Sequence, residues 1–403
     1  MEGRQPDHAI VEPSPDHFAP RDCPLCQSRA RRVVAAYGNV QFFTDNPAVN
    51  KRATISDAQC LACGTLYRTP CFTDAGFAVL FAEAGRSYGS TAQRPHEQLA
   101  WLGARGLLRP GAALLDVGCY DGGFLSHLDT SVVRMGVDID APAIERGRAR
   151  DPQLLLTHGR FETFTVPQAP NVITMFHVLE HLTDPIAVLR RLREVAAPHA
   201  RLVVEVPVLE GGETNDINGF FSIQHLTHFS RATLHATLAA SGWAVDEHAA
   251  IDGYNGFRVL ATPAAPQVGG RGAPADVLSL RKVLVAWNQA QRDVELRLAQ
   301  LPPDGPVAIW GAGLHTEVLY QCTSLFLEAG RRFLLVDGDP LKQGRTWRGV
   351  EIHPPAALAG LDWSTTHLVI SSYGGQPGIL AGARTLGVPP ERILALYDAV
   401  HVY

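Results

Sequence analysis

Leu114-Leu115-Asp116-Val117-Gly118-Cys119-Tyr120-Asp121-Gly122-Gly123-Phe124 is the stretch that decides the fold. The apolar run Leu114 to Val117 breaks into a glycine-rich turn, and helical residues follow. A buried strand ends this way where backbone must come close to a ligand. Gly118 and Gly122 permit that approach, and the acid Asp116 stands just ahead of them. A second apolar run, Met135-Gly136-Val137-Asp138-Ile139-Asp140, closes on Asp138, 22 residues after Asp116. An acid at the end of the second strand accepts hydrogen bonds from ribose hydroxyls.

The alternation continues outward. Asn171–Val178 and Arg201–Val206 are further buried-strand candidates, with helical stretches at Ile144–Arg150 and Ile186–Val195. Strand and helix in turn predict an α/β domain with a parallel sheet and helices on both faces. A dinucleotide fingerprint is the competing reading. It requires GxGxxG, whereas the next glycine after Gly118 is Gly122.

Four cysteines form two knuckles, Cys23-Pro24-Leu25-Cys26 and Cys60-Leu61-Ala62-Cys63, with 33 residues between them. Each knuckle sets two sulfurs on one side of a turn, and two knuckles complete a tetrahedral four-thiolate site suited to zinc. Such a site has no open position, so its role is structural. A β-rich insertion around Phe42–Ile55 must loop out between the pairs, and Leu66–Pro70 reads as a ribbon strand. Disulfides or unpaired thiols are the alternative. A DNA-binding ribbon is opposed by the net charge of −5 and the pI near 6.3, which leave no electrostatic footprint for nucleic acid.

Composition sets the outer limits. A chain of 403 residues exceeds one ordinary core, so two or three domains are expected. Hydrophobic residues at 46% and charged residues at 19% exclude a disordered chain. No apolar run approaches the roughly 18 residues of a membrane span. Met1–Asp22 is polar and proline-rich and reads as a loose arm rather than a secretory signal. Seven cysteines without an export signal are expected to be reduced thiols in a cytoplasm. Nothing in the sequence sets an oligomeric state.

The expected organisation is an arm over 1–22, a zinc-binding β-rich module over 23–85, and a central α/β domain over 86–262. A linker over 263–275 and a helix plus a second α/β module over 276–403 complete it. The helix has one apolar stripe, Val277, Leu280, Leu284, Trp287, Val294, Leu298 and Leu301. Beyond it, Val307–Gly313 is a strand entering a glycine turn, and Asp337 ends a later strand. That pattern fits a nucleotide site, or a degenerate Rossmann-like module that packs on the substrate pocket. His315 and Lys342 are the candidates for phosphate contact.

Taken together, these segments resemble the class I S-adenosylmethionine-dependent methyltransferases, whose turn is roughly acidic-x-Gly-x-Gly-x-Gly. Gly159–Glu162, Phe176–Pro185 and Pro207 match further segments of that group. The three-part order is similar to the C-methyltransferases that act on nucleotide-linked keto-deoxysugars in antibiotic pathways. Their turn often carries a bulkier residue where Tyr120 stands, and Lys342–Arg345 and Gly349–His353 resemble their C-terminal module. The resemblance implies S-adenosylmethionine and a structural zinc ion held by Cys23, Cys26, Cys60 and Cys63. It implies donor contacts from Asp116, Gly118, Tyr120, Asp121, Gly122, Asp138, Ile139, Phe161 and His177.

In Ser222–Ser230, His225 matches the family's histidine, and Gln224 stands where glutamate is common. Tyr88, in Arg86–Thr91, matches a tyrosine of the family. Carbon accepts a methyl group only after a proton alpha to a ketone is removed. His225 is the base candidate, and Tyr88 the donor to the enolate oxygen. The bland alternative is a histidine that only lines the pocket or caps a helix. His228 reads as structural, and Glu180 and His181 as facing the substrate. A metal there would require more convergent ligands. Two departures bear on the sugar. Gly253–Arg258 replaces a His-Gly-Gly-like segment, and Gly311–Thr316 lacks the family's lysine. O- or N-methylation of another small intermediate is the first alternative. A non-catalytic zinc-ribbon binding protein with a retained methyltransferase fold is the second.

Overall fold

The structure is a computed structural model that describes residues 15–43, 50–81, 94–211, 214–250, 256–267, 277–328 and 330–400. Its N-terminal part holds β1 (Phe18–Ala19), β2 (Arg31–Phe43), β3 (Asn50–Cys60), β4 (Leu66–Arg68), β5 (Cys71–Phe72) and α1 (Asp74–Phe81). β2 and β3 form one long antiparallel hairpin, from Arg31 opposite Cys60 to Phe43 opposite Asn50. The hairpin explains the long spacing of the knuckles. Its strands leave and return at one end, so Cys60 arrives beside the chain that has just left Cys26.

The central part holds α2 (Arg94–Ala104), β6 (Ala113–Val117), α3 (Gly123–Ser126), β7 (Val133–Asp138), α4 (Ala141–Arg150), β8 (Leu155–His158) and β9 (Val172–Phe176). It continues with α5 (Pro185–Val195), β10 (Arg201–Pro207), β11 (Thr227–His228), α6 (Arg231–Ala240), β12 (Trp243–Ala250) and β13 (Gly256–Pro263). Seven of these strands make one sheet in the order β12-β13-β10-β9-β6-β7-β8. Pairings among β10, β9, β6, β7 and β8 are parallel. The expected all-parallel sheet needs one correction: β13 runs antiparallel to β10, and β12 antiparallel to β13. After the buried Trp243, β12 alternates exposed and partly buried residues, as an edge strand with one wet face should.

Local signals set the helices. Asp184 accepts from Ala187 N–H at 2.9 Å ahead of Pro185, and Ile186, Val188, Leu189 and Leu192 form the buried face of α5. Ser230 caps α6 in a reciprocal pair with Thr233. The two faces of the sheet fill separate apolar clusters, one around Val117, Val137, Ile173 and Trp243, the other around Leu114, Leu125 and Ile144.

The last part holds α7 (Val277–Leu298), β14 (Val307–Trp310), α8 (Leu314–Cys322), β15 (Phe333–Val336), β16 (Thr346–Trp347), β17 (Val350–His353), β18 (His367–Ile370), α9 (Gln376–Thr385) and β19 (Ile393–Ala395). They form a second sheet, β16-β17-β15-β14-β18-β19. One apolar cluster joins Tyr37, Val40 and Ile55 of the hairpin to Trp287 and Val294 of α7 and to Ile309 and Val369 of this sheet. β11, from the central part of the chain, pairs with β4 of the hairpin sheet. No helix among the described residues is long and apolar enough to cross a membrane.

Candidate active site

The turn after β6 is built around Asp138. Tyr120 N–H donates to Asp138 Oδ2 at 2.7 Å, and Asp140 N–H to Oδ1 at 2.9 Å. Gly118 and Gly122 have φ of +76° and +75°, which glycine adopts without penalty. Tyr120 also lies in the left-handed region, at +51°. The site therefore holds a side chain where the motif's middle glycine would be at ease, a conformation that costs on the order of 1–2 kcal/mol. Its hydroxyl accepts from Arg146 at 3.0 Å.

The other sequence-derived donor residues fall at the carboxyl ends of the same strands, where ligands of open α/β sheets bind. Asp138 and Ile139 follow β7, Phe161 follows β8 and His177 follows β9. Asp116 lies within β6 and is buried. Thr174 Oγ1 donates to it at 2.6 Å, and burial pushes its carboxyl up to about 7. Asp121 accepts from Gly123 N–H at 3.1 Å and pairs with Arg150 at 2.6 Å. Ile139 is about half exposed, whereas Phe161 is packed into the core.

Gly147 of α4 fixes the back of this turn. A Cβ there would stand 2.3 Å from the Asp121 carbonyl oxygen. In an ordinary helix interior, Gly→Ala stabilises by up to about 1 kcal/mol. Here the sign reverses. Gly147→Ala is expected to destabilise by about 1–3 kcal/mol and to weaken donor binding, as thermal unfolding and calorimetry will read.

A second group gathers beside β9 and β10. Glu180 is buried, with Oε1 3.1 Å from His177 Nδ1 and 3.8 Å from His181 Nε2. Burial works to raise its carboxyl. The hydrogen bond and charge of His177, with His181 close by, outweigh burial and hold it at about 2. The His181 and His225 rings meet edge to face, with centroids 5.0 Å apart. His181 Nδ1 lies 3.0 Å from the Gln224 carbonyl, and Leu226 N–H donates to the Glu180 carbonyl at 2.8 Å. Burial drives His225 well below its ordinary 6.5, so the ring is neutral at pH 7.

His177 has φ of +55° and bridges Glu180 to Glu205, with Nε2 3.2 Å from Glu205 Oε1. Burial opposes its imidazolium, but the two carboxylates prevail and raise its pKa. Donor atoms of Glu180, His181 and His225 all lie within 4.8 Å of one another. Gln224 takes part through its backbone carbonyl. His228 is packed beside Phe220, with Nε2 3.6 Å from Asp57 Oδ1. Tyr88 lies outside the described residues.

Sequence reasoning missed the ion network beneath this group. Glu205 is fully buried in β10, with Arg94, Arg258 and His177 around it, and Arg258 also pairs with Glu97. A single acid inside the apolar run Leu202–Val206 was the available signal.

The knuckles meet as pairs: Cys23 Sγ lies 3.5 Å from Cys63 Sγ, and Cys26 Sγ 3.5 Å from Cys60 Sγ. A disulfide would place its sulfurs about 2 Å apart. Thiolates around zinc, each about 2.3 Å from the ion, stand nearly 4 Å apart in a tetrahedron. All four sulfurs fall within 4.8 Å of one another, so the donor set fits such an ion.

The second glycine turn repeats the first. Ala312 N–H donates to Asp337 Oδ2 at 2.7 Å, and Asp339 N–H to Oδ1 at 2.9 Å. Lys342 Nζ reaches the same Asp337 at 3.2 Å. His315 does not fit a phosphate contact. It is buried between Ser371 and Tyr397, and burial takes its pKa to about 3, leaving it uncharged.

Residues 90–248 match a family model described as Methyltransferase domain. A probable S-adenosylmethionine-dependent methyltransferase of Mycolicibacterium smegmatis is 27% identical over 143 residues, 34% of this chain and 54% of that protein. The match thus spans about half the length of that curated relative. A 1,6-didemethyltoxoflavin N1-methyltransferase of Burkholderia thailandensis is 14% identical, over 51% of this chain and 97% of that one, with a TM-score of 0.40. An amino pentose methyltransferase of calicheamicin biosynthesis from Micromonospora echinaspora is 17% identical over 47% of this chain and 96% of that one, with a TM-score of 0.34. The sequence matches and the sheet order support a class I S-adenosylmethionine-dependent methyltransferase domain in the central part of the chain.

Proposed function

We propose that this chain is a cytoplasmic enzyme that moves the methyl group of S-adenosylmethionine to a small polar acceptor. The acceptor we favour is the carbon alpha to a ketone in a nucleotide-linked deoxysugar. The observation that carries the reading is the convergence of Glu180, His181 and His225, whose donor atoms lie within 4.8 Å of one another beside the end of β9; burial lowers His225, which favours the neutral ring. A neutral imidazole takes the alpha proton, and Glu180 stabilises the imidazolium that forms. The resulting enolate attacks the methyl group of the sulfonium, which leaves as the neutral thioether.

The repeated turn at Gly311–Gly313, with Asp337 and Lys342, supports a place for the nucleotide. The four-thiolate site supports a structural zinc ion that staples the N-terminal module. Asp138 would hold the donor's ribose, and Tyr88 the enolate oxygen.

Donor binding is the first test. S-Adenosylmethionine should bind by calorimetry, and Asp138→Ala should weaken it about 10- to 100-fold, the loss of charge-assisted hydrogen bonds. No binding by the wild-type chain would overturn the enzyme reading and leave a zinc-ribbon binding protein. Solvent deuterium entering the sugar carbon in the presence of enzyme separates C- from O- or N-methylation.

A further inference from the structure

Two buried arginines reach across to the loops that carry the catalytic candidates: Arg68 of the N-terminal module, and Arg21 at the end of the expected loose arm, which is instead packed, with Phe18–Ala19 paired to Cys71–Phe72. Arg21 stands two residues ahead of Cys23, and Arg68 follows Cys63 on β4. Arg68 is fully buried and forks onto Asp57, with Nε 3.2 Å from Oδ1 and Nη2 3.0 Å from Oδ2. The rest of its guanidinium donates forward, Nη1 to the Ile223 carbonyl at 2.5 Å and Nη2 to the Ser222 carbonyl at 2.9 Å. Its backbone N–H donates to the Leu226 carbonyl at 2.9 Å.

Arg21 completes the grip. Nη1 donates to the same Leu226 carbonyl at 2.7 Å. Nη2 donates to the Leu182 carbonyl at 3.2 Å and to the Thr183 carbonyl at 2.5 Å. The first acceptor sits one residue beyond His225, and the others follow His181 directly. One guanidinium therefore ties the His181 loop to the His225 loop.

We propose that Arg21 and Arg68 are positioning residues that set the His181–His225 geometry, and that they couple it to the four-thiolate site. This rests on the reading of His225 as the proton acceptor. The physical case is the donor count. Arginine offers five N–H groups in a rigid fork, which lysine cannot reproduce. Buried carbonyls left without donors pull their loop toward other partners or water. These interactions are spent on Ser222, Ile223 and Leu226, which flank His225, and on Leu182 and Thr183, which follow His181. A misplacement of about 1 Å at a reacting group can cost 100-fold in rate.

The test uses the full chain labelled with 15N at histidine. Its readout is the His181 Nδ1 resonance, which reports the hydrogen bond to the Gln224 carbonyl. Arg68→Lys and Arg21→Lys are each expected to shift that resonance while S-adenosylmethionine still binds within about threefold of wild type. Stripping the thiolate site with a chelator should shift it in the same direction. With a keto-deoxysugar nucleotide as acceptor, kcat should fall about 10- to 100-fold, with a smaller change in KM. An unchanged His181 resonance in both lysine variants and in the stripped protein overturns the proposal. If the wild-type chain transfers no methyl group, the base reading fails, yet the resonance still decides whether the arginines hold the loops. If one variant does not fold, as judged by loss of donor binding, the other carries the decision.

Discussion

Arg258→Met will destabilise the protein by about 3–5 kcal/mol, a large share of the roughly 5–15 kcal/mol that holds a domain folded. Arg258 is buried on β13, with Nε 2.7 Å from Glu205 Oε2 and its two terminal nitrogens 2.9 and 2.7 Å from the Glu97 oxygens. Methionine fills much of the same volume, so the loss is one of charge rather than packing. Glu205 would keep Arg94 and His177 but lose Arg258, its fully buried cationic partner. Removing both charges is the control: Arg258→Met with Glu205→Leu should recover part of the loss, because a buried pair is worth little more than the apolar residues that replace it. Urea unfolding of the single and double variants reads both values.

Acid adds a second arm to the same experiment. Burial works to raise Glu205, but the His177 hydrogen bond and the Arg258 and Arg94 charges hold it at about 2, below its ordinary 4.5. A depressed carboxyl contributes stability that is complete above its unfolded pKa and vanishes as pH falls through the folded one. The wild-type contribution of Glu205 is therefore lost between about pH 4.5 and 2. In Arg258→Met the folded value moves up, so less stability is left to lose and the acid transition shifts to higher pH. An acid transition at the wild-type pH, with an unchanged urea midpoint, would show that Arg258 does not compensate Glu205.

Much of this architecture is legible in the sequence because its signals are local. Leu114–Gly122 carries its own strand, turn and acid partner. Ser230 and Asp184 announce the helices that follow them, and the paired knuckles announce a thiolate cluster. What stays illegible depends on residues far apart in the chain. Glu205 reads as a strand residue until Arg94 and Arg258 arrive from α2 and β13. Arg21 lies in a stretch that reads as a loose arm, and Arg68 in one that reads as a ribbon strand, until β11 pairs with β4 and brings the Ser222–Thr227 loop beneath them. His315 failed for the converse reason. Its place after a glycine turn suggested a phosphate contact, but Tyr397, 82 residues away, accompanies it in the interior. The antiparallel edge of the sheet belongs to the same class. β12 and β13 pair as neighbours in sequence, but only the register with β10 fixes their direction in the sheet.

His225→Ala is expected to lower methyl transfer by about 10²- to 10⁴-fold, the usual contribution of a positioned proton acceptor. S-Adenosylmethionine affinity should change little, because the ring contacts His181 and His228 rather than the donor turn. The pH profile distinguishes a base from a wall of the pocket. Burial holds His225 well below 6.5, with His181 adding to that effect and Glu180 opposing it. Only the neutral ring accepts a proton, so activity should be flat above pH 6.5 and fall as pH drops through the lowered value. Glu180→Gln removes the anion that favours the imidazolium. The acid limb should then move to still lower pH while the plateau rate falls, since the protonated ring formed during the reaction loses its partner. A residue that only lines the pocket predicts neither change. If His225→Ala retains nearly full transfer to the native acceptor, proton removal from carbon is not the work of this histidine, and an oxygen or nitrogen acceptor becomes the better reading of the same site.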